Sequence, residues 1–150
     1  MNPDTKNYDL RKFNHIGIVV KDINKAVQYY ESLGFGPFGH LQGIKVTERI
    51  LYGKPAPDIR VEIRVAQAGP LPIELIQPVA GRSVWQDFLE AKGEGIHHLG
   101  IVVNDLDKEA AKLEKQGFEE VYRAKMGTGG VAAYFDTKKI GLPYFQLEQW

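Results

Sequence analysis

No cysteine occurs among the 150 residues. That absence excludes a disulfide framework, a thiolate nucleophile and every cysteine-ligated zinc or iron–sulfur site. Net charge is missing as well: 19 basic residues stand against 19 acidic ones. Nothing long-range then favours nucleic acid, a polyanion or a membrane surface as partner. No apolar run approaches the roughly 18 residues of a membrane span, and the opening MNPDTKNYDLRK has no apolar signal core. The expectation is a cytoplasmic protein with neither nucleic-acid nor membrane partners. What is present is ordinary: 43% hydrophobic and 25% charged residues suit a chain that buries a core. The length fits one domain or two half-size modules.

Sixteen glycines and eight prolines imply many turns, so strands should outnumber long helices. FNHIGIVV (13–20) reads as a strand. In the following 21–35, Ile23, Val27, Tyr30 and Leu33 recur at helical spacing, with Asp22 as N-cap and Gly34 as stop. Strands are expected at 44–52, 59–67 and 72–77, and a short helix over 81–93, where Ser83 and Gln86 have capping-box spacing. The pattern then restarts: strand 95–103, helix 105–118, and strands near 119–126, 130–136 and 143–149.

The restart is a duplication. A shift of 83 residues lays His15–Phe35 on His98–Phe118 without a gap, and ten of the 21 positions are identical. PIELIQ (72–77) similarly matches YFQLEQ (144–149). Two βαβββ modules follow, 13–80 and 95–150, joined by a helical linker over 81–94. Neither is comfortably large alone, so they should share one core as a single integrated domain.

Strand alternation puts His15, Gly17 and Val19 on one face and Ile16, Ile18 and Val20 on the other. The all-apolar face should pack on the following helix, leaving the histidine face for a concavity. His98, Gly100 and Val102 repeat the arrangement, while His97 falls on the helix-packing face or near the strand's start. Glu74 shares a face with Pro72 and Ile76; its counterpart Gln146 is flanked by Tyr144 and Glu148. Two imidazoles, a carboxylate and an amide from four strands form a ligand set for a divalent cation, and do not choose among cobalt, nickel, zinc, manganese and iron. A lone histidine on a strand is more often a hydrogen-bonded structural residue than a ligand; the duplication is what favours ligation.

FNHIGIVVKD, PIELIQP, FLEAKGEGIHHLGIVVNDL and the terminal YFQLEQ together resemble the vicinal oxygen chelate superfamily of glyoxalases, bleomycin-resistance proteins and dioxygenases, over about residues 13–149. GEGIHHLGIVV after a helix ending in EAKG is most similar to the methylmalonyl-CoA epimerase branch. The resemblance implies an α+β fold, two tandem βαβββ modules whose sheets curl around a metal held by His15, Glu74, His98 and Gln146. It further implies a homodimer and a small-molecule substrate, an acyl-CoA or a glutathione-type thioester. The implied activity is proton transfer next to a carbonyl through a metal-stabilised enolate, as an isomerase or lyase. A glyoxalase I-type lactoylglutathione lyase, an extradiol-type dioxygenase and a non-catalytic antibiotic-binding protein are the alternatives. Gln146 stands where the epimerase pattern has a glutamate, and an amide cannot act as a base. Glu148, two residues on, supplies a carboxylate in an alternative register. Glu74 and Glu148 are the expected catalytic carboxylates, with Glu48 and Glu62 as further bases on first-module strands. The same two fit solvated strand carboxylates.

Overall fold

The computed structural model describes residues 13–41 and 44–150; the expectation drawn from the opening residues 1–12 lies outside them. The first module runs β1 (Phe13–Val19), α1 (Ile23–Ser32), β2 (Gly39–His40), β3 (Val46–Leu51), β4 (Lys54–Pro55), β5 (Arg60–Ala68) and β6 (Leu71–Ala80). Helix α2 (Val84–Lys92) leads to the second module: β7 (Gly95–Val102), α3 (Leu106–Lys115), β8 (Glu120–Met126), β9 (Val131–Asp136) and β10 (Tyr144–Gln149). A 3₁₀ turn at Lys138–Ile140 precedes β10. Among the described residues no helix is long and apolar enough to cross a membrane.

All ten strands form one mixed sheet in the order β2-β5-β6-β1-β7-β10-β9-β8-β3-β4. Strands β1 and β7 meet antiparallel at the seam, and each has its module's last strand, β6 or β10, as parallel neighbour. Strand β3 departs from the simple repeat: it leaves its own module and pairs antiparallel with β8. Residues 41–45 therefore connect β2 on one side of the sheet to β3 on the other. At no more than about 3.6 Å per residue, that short link can span only about 20 Å, so the sheet must curl around the space between its ends.

The two long-period helices are punctuated alike. Asp22 accepts from the Lys25 amide at 3.1 Å and Asp105 from the Lys108 amide at 3.0 Å. A second orphan amide in each helix is met from the module's last strand, Ile23 by Gln77 Oε1 and Leu106 by Gln149 Oε1. Gly34 and Gly117, at φ 93° and 87°, end both helices by letting the next residue bond back to Tyr30 and Leu113. Helix α1 covers Ile18, Val20, Ile73 and Leu75, and α3 covers Ile101, Val103, Phe135 and Leu147. These are the predicted apolar faces. Helix α2 instead packs Val84, Trp85 and Phe88 with Val19, Ile76, Tyr122, Tyr134 and Tyr144 on the concave side.

The matched caps are testable. Asp22→Ala and Asp105→Ala should each lower unfolding free energy by about 1 kcal/mol, and the two losses should add because the sites share no partner. Chemical denaturation of the single and double variants measures both.

Candidate metal centre

Register across the seam explains how the side chains converge. In one row of paired residues Glu74, Gly17, His98 and Tyr144 lie side by side on β6, β1, β7 and β10. In the adjacent row His15, Gly100, Gln146, Tyr134 and Tyr122 follow on β1, β7, β10, β9 and β8. The glycines leave room for the rings. A Cβ on Gly17 would sit 1.9 Å from His98 Cε1, and one on Gly100 would sit 2.2 Å from His15 Cε1. Each module's histidine thus occupies the space above the other module's glycine.

His15 Nε2 and His98 Nε2 stand 3.0 Å apart. Glu74 reaches both, Oε2 at 3.7 Å from His15 Nε2 and Oε1 at 3.6 Å from His98 Nε2. One ligating atom from each of the three residues fits within 4.8 Å of the others, the spacing a single cation needs. Gln146 is buried and its Oε1 has no hydrogen-bond partner among the described residues. An orphaned amide oxygen beside two imidazoles and a carboxylate fits a fourth ligand, since a buried acceptor left unpaired is costly.

Burial sets the protonation states. It pulls His15 below the usual imidazole range, against the pull of Glu74, and takes His98 down to about 3. Both rings are neutral at physiological pH, as ligands must be. Burial also pushes Glu74 upward, opposed by His15. Glu148, buried on the cleft wall and facing Glu74, is raised to about 7, burial being the larger cause. Its Oε1 lies 3.6 Å from His15 Nδ1, and its Oε2 accepts from Trp150 Nε1 at 3.1 Å. A carboxylate held near neutrality beside a ligand cluster suits a general base.

The cluster forms the polar side of a cavity of about 450 Å³ whose other walls include Val46, Val61, Ile63, Trp85 and Met126. His40 and Glu62 line its outer wall, and Glu62 is half exposed and paired with Arg64. Glu48 lies elsewhere. Half exposed, it pairs with Lys125 at 3.2 Å outside the cleft. Alternation alone would place Glu48 with Val46, but β3 slips by one residue between them against β8. The bulge turns Glu48 out and Arg49 in. A second bulge opposite Gly17 and Ile18 turns His97 away from the α3 face into the concave interior. Sequence reasoning did not find Arg49 or Trp150, and it read Tyr134 only as one of four strand aromatics, with Phe135, Tyr144 and Phe145, of which some could line a pocket. Tyr134 had a signal, its register opposite Gln146, whereas Arg49 depends on a bulge that no residue type marks.

Comparison with known proteins agrees with the resemblance. The sequence profile described as "Glyoxalase/Bleomycin resistance protein/Dioxygenase superfamily" matches residues 14–135. The uncharacterised protein YqjC of Bacillus subtilis is 29% identical over 122 residues, 81% of this chain and 79% of that protein. Human mitochondrial methylmalonyl-CoA epimerase is 27% identical over 145 residues, 95% of this chain and 76% of that protein. Among solved structures, the Mycobacterium tuberculosis methylmalonyl-CoA epimerase superposes with a TM-score of 0.59 at 24% identity, covering 92% of this chain and 87% of that one. The shared curled fold is the conclusion that structural likeness carries.

Reciprocal packing at the seam predicts a non-additive cycle. Gly17→Ala should destabilise by about 2 kcal/mol through forced displacement of the His98 ring. In the His98→Ala background the same change should cost at least about 1 kcal/mol less. Thermal denaturation of the four proteins tests the coupling; equal costs in both backgrounds would refute the contact.

Proposed function

Because the chain belongs to the glyoxalase/bleomycin resistance protein/dioxygenase superfamily, we propose that it is a divalent-metal-dependent isomerase. It moves a proton on the carbon next to a carbonyl, on a small acyl thioester of the methylmalonyl-CoA kind. The observation that carries this reading is the buried His15–Glu74–His98 cluster with the Glu148 carboxylate poised near neutrality beside it. The 27% identity to an epimerase over nearly the whole chain supports the substrate class.

His15, Glu74, His98 and Gln146 are assigned as the ligands. A divalent ion held there would supply a Lewis acid that polarises the substrate carbonyl and stabilises the developing enolate charge. The chain's own residues do the rest. Glu148 takes the α-proton: it lines the cleft, carries no competing cation, and its affinity for a proton is close to balanced at neutral pH. Trp150, donating to the other carboxylate oxygen, fixes which oxygen faces the cavity. The apolar walls and the Trp85, Tyr122 and Tyr134 rings exclude water from the reacting carbon. Retention of a complete His–Glu–His set favours turnover over the sequestering role of antibiotic-binding relatives.

Two measurements decide the reading. Protein purified without chelator should carry about one divalent ion per chain, and Glu74→Gln or His98→Ala should weaken Co²⁺ binding at least about 100-fold. Loss of a ligand's charge or nitrogen accounts for that magnitude. In heavy water, the cobalt-loaded protein should exchange the α-hydrogen of methylmalonyl-CoA, followed by proton NMR. Glu148→Gln should slow exchange by at least about 100-fold with metal still bound, whereas Glu48→Gln should leave the rate within about twofold. Stoichiometric metal with no α-exchange on any acyl-CoA would sink the isomerase assignment.

A further inference from the structure

We propose that His97 is a positioning residue for the metal centre: its ring fixes the tautomer of His98, so that His98 Nε2 presents a lone pair to the ligand cluster. This inference rests on the metal reading above.

The deduction begins at a carbonyl, which can only accept. His97 Nε2 lies 3.3 Å from the Val84 carbonyl oxygen and must therefore carry the hydrogen. His97 is fully buried, with Trp85 and Phe88 of α2 and Tyr134 and Tyr144 of the sheet as its ring neighbours. Among the described residues no carboxylate lies within ion-pair distance of this fully buried ring, so nothing there supports a charged imidazolium and the ring is neutral. A neutral imidazole with hydrogen on Nε2 has Nδ1 as an acceptor. His97 Nδ1 meets His98 Nδ1 at 3.0 Å, both rings buried and the planes at 90°. His98 must then donate from Nδ1, which leaves its Nε2 bare; His15, donating from Nδ1 to Asn14 Oδ1, turns its own bare Nε2 toward the same point, so two lone pairs 3.0 Å apart face each other beside Glu74.

The relay therefore runs from the first turn of α2 through two rings to the ligand cluster. It exists because of the bulge in β7. Regular alternation would place His97 on the α3 side with Leu99; the extra residue opposite Gly17 and Ile18 brings both rings inward. His15 is supported differently in the first module. Its Nδ1 meets Asn14 Oδ1 at 2.9 Å and faces Glu148 at 3.6 Å, nearer the cleft mouth. The two ligands are thus set by different partners, one by the His97 ring in its aromatic cage and one by Asn14 on the wall that carries Glu148.

Outer partners that orient a ligating histidine are worth roughly 10–100-fold in metal affinity. His97→Phe keeps the ring volume and removes the acceptor. It should weaken Co²⁺ binding by that factor and move the His98 hydrogen to Nε2 in the metal-free protein, seen as exchanged pyrrole-like and pyridine-like ¹⁵N resonances. His97→Gln offers an amide oxygen to His98 and an amide hydrogen to Val84, and should restore affinity to within about threefold with the His98 tautomer unchanged. A purely structural role would lower stability in both variants without moving the tautomer. The wild-type, metal-free spectrum is decisive even if His97→Phe fails to fold: a His98 ring protonated on Nε2 overturns the proposal. So does a folded His97→Phe that keeps both tautomer and affinity. Failure of the wild type to bind Co²⁺ would overturn the metal reading, while the tautomer measurement still decides the relay.

Discussion

Everything in this fold turns on the antiparallel seam between β1 and β7, where each histidine ring lies above the other strand's glycine. Two imidazoles are too wide to share one concave surface above ordinary pleated strands. They fit because the position opposite each ring has no side chain. The register that pairs Gly17 with His98 also pairs Gly17 with Glu74, and Gly100 with both His15 and Gln146. One pairing choice therefore delivers all four donors. A slip of a single residue at the seam would turn one module's pair of donors to the outer, helix-covered face and leave the other pair facing inward alone.

Duplication supplies the scaffold, and departures from it supply the chemistry. Both modules cap, stop and cover their helices with corresponding residues, down to the glutamine that reaches back from the last strand. At the centre they part. The first module contributes a carboxylate among the donors, Glu74, whereas the second contributes an amide at the matching place and a carboxylate two residues later. Because Gln146 carries no charge, Glu148 faces only one nearby carboxylate, and burial with that single neighbour brings it to about 7. A second ligating glutamate at 146 would add like charge and push Glu148 higher still. In the proposed mechanism this asymmetry separates a ligand role for Gln146 from a base role for Glu148 within one strand.

Most elements, and the placing of His15, Glu74, His98 and Gln146 on one concave face, were legible in the sequence because they depend on local rules. Periodicity located the helices, alternation located the histidine face, and the repeat linked faces in segments 83 residues apart. What escaped was set by neighbours rather than by local sequence. Strand β3 was expected as an ordinary member of the first module, yet its pairing with β8 is a choice of partner that no residue in 46–51 announces. The two bulges have the same character. Each inverts alternation beyond itself: Glu48 points out where Arg49 points in, and His97 turns inward from the helix-packing face its parity assigns. Bulges are fixed by the register of both strands together, so a single strand's sequence underdetermines them.

The energetics of the centre argue that these groups serve a ligand rather than the fold. Two carboxylates and three imidazoles are buried together, and no arginine or lysine is paired with Glu74 or Glu148 among the described residues. Such a set is expensive to desolvate, and a structural polar cluster would resolve the cost with a buried cation or complete hydrogen bonding. Here the carboxylates are driven toward protonation and the imidazoles away from it, while Gln146 Oε1 is left without a partner. Each of these strains has the same sign: every group lacks a neighbouring positive charge that can accept electron pairs. One divalent cation would relieve them at once, converting a costly cavity lining into a ligand set. A buried polar set strained in this one direction is the balance expected of a ligand site rather than of a packing core.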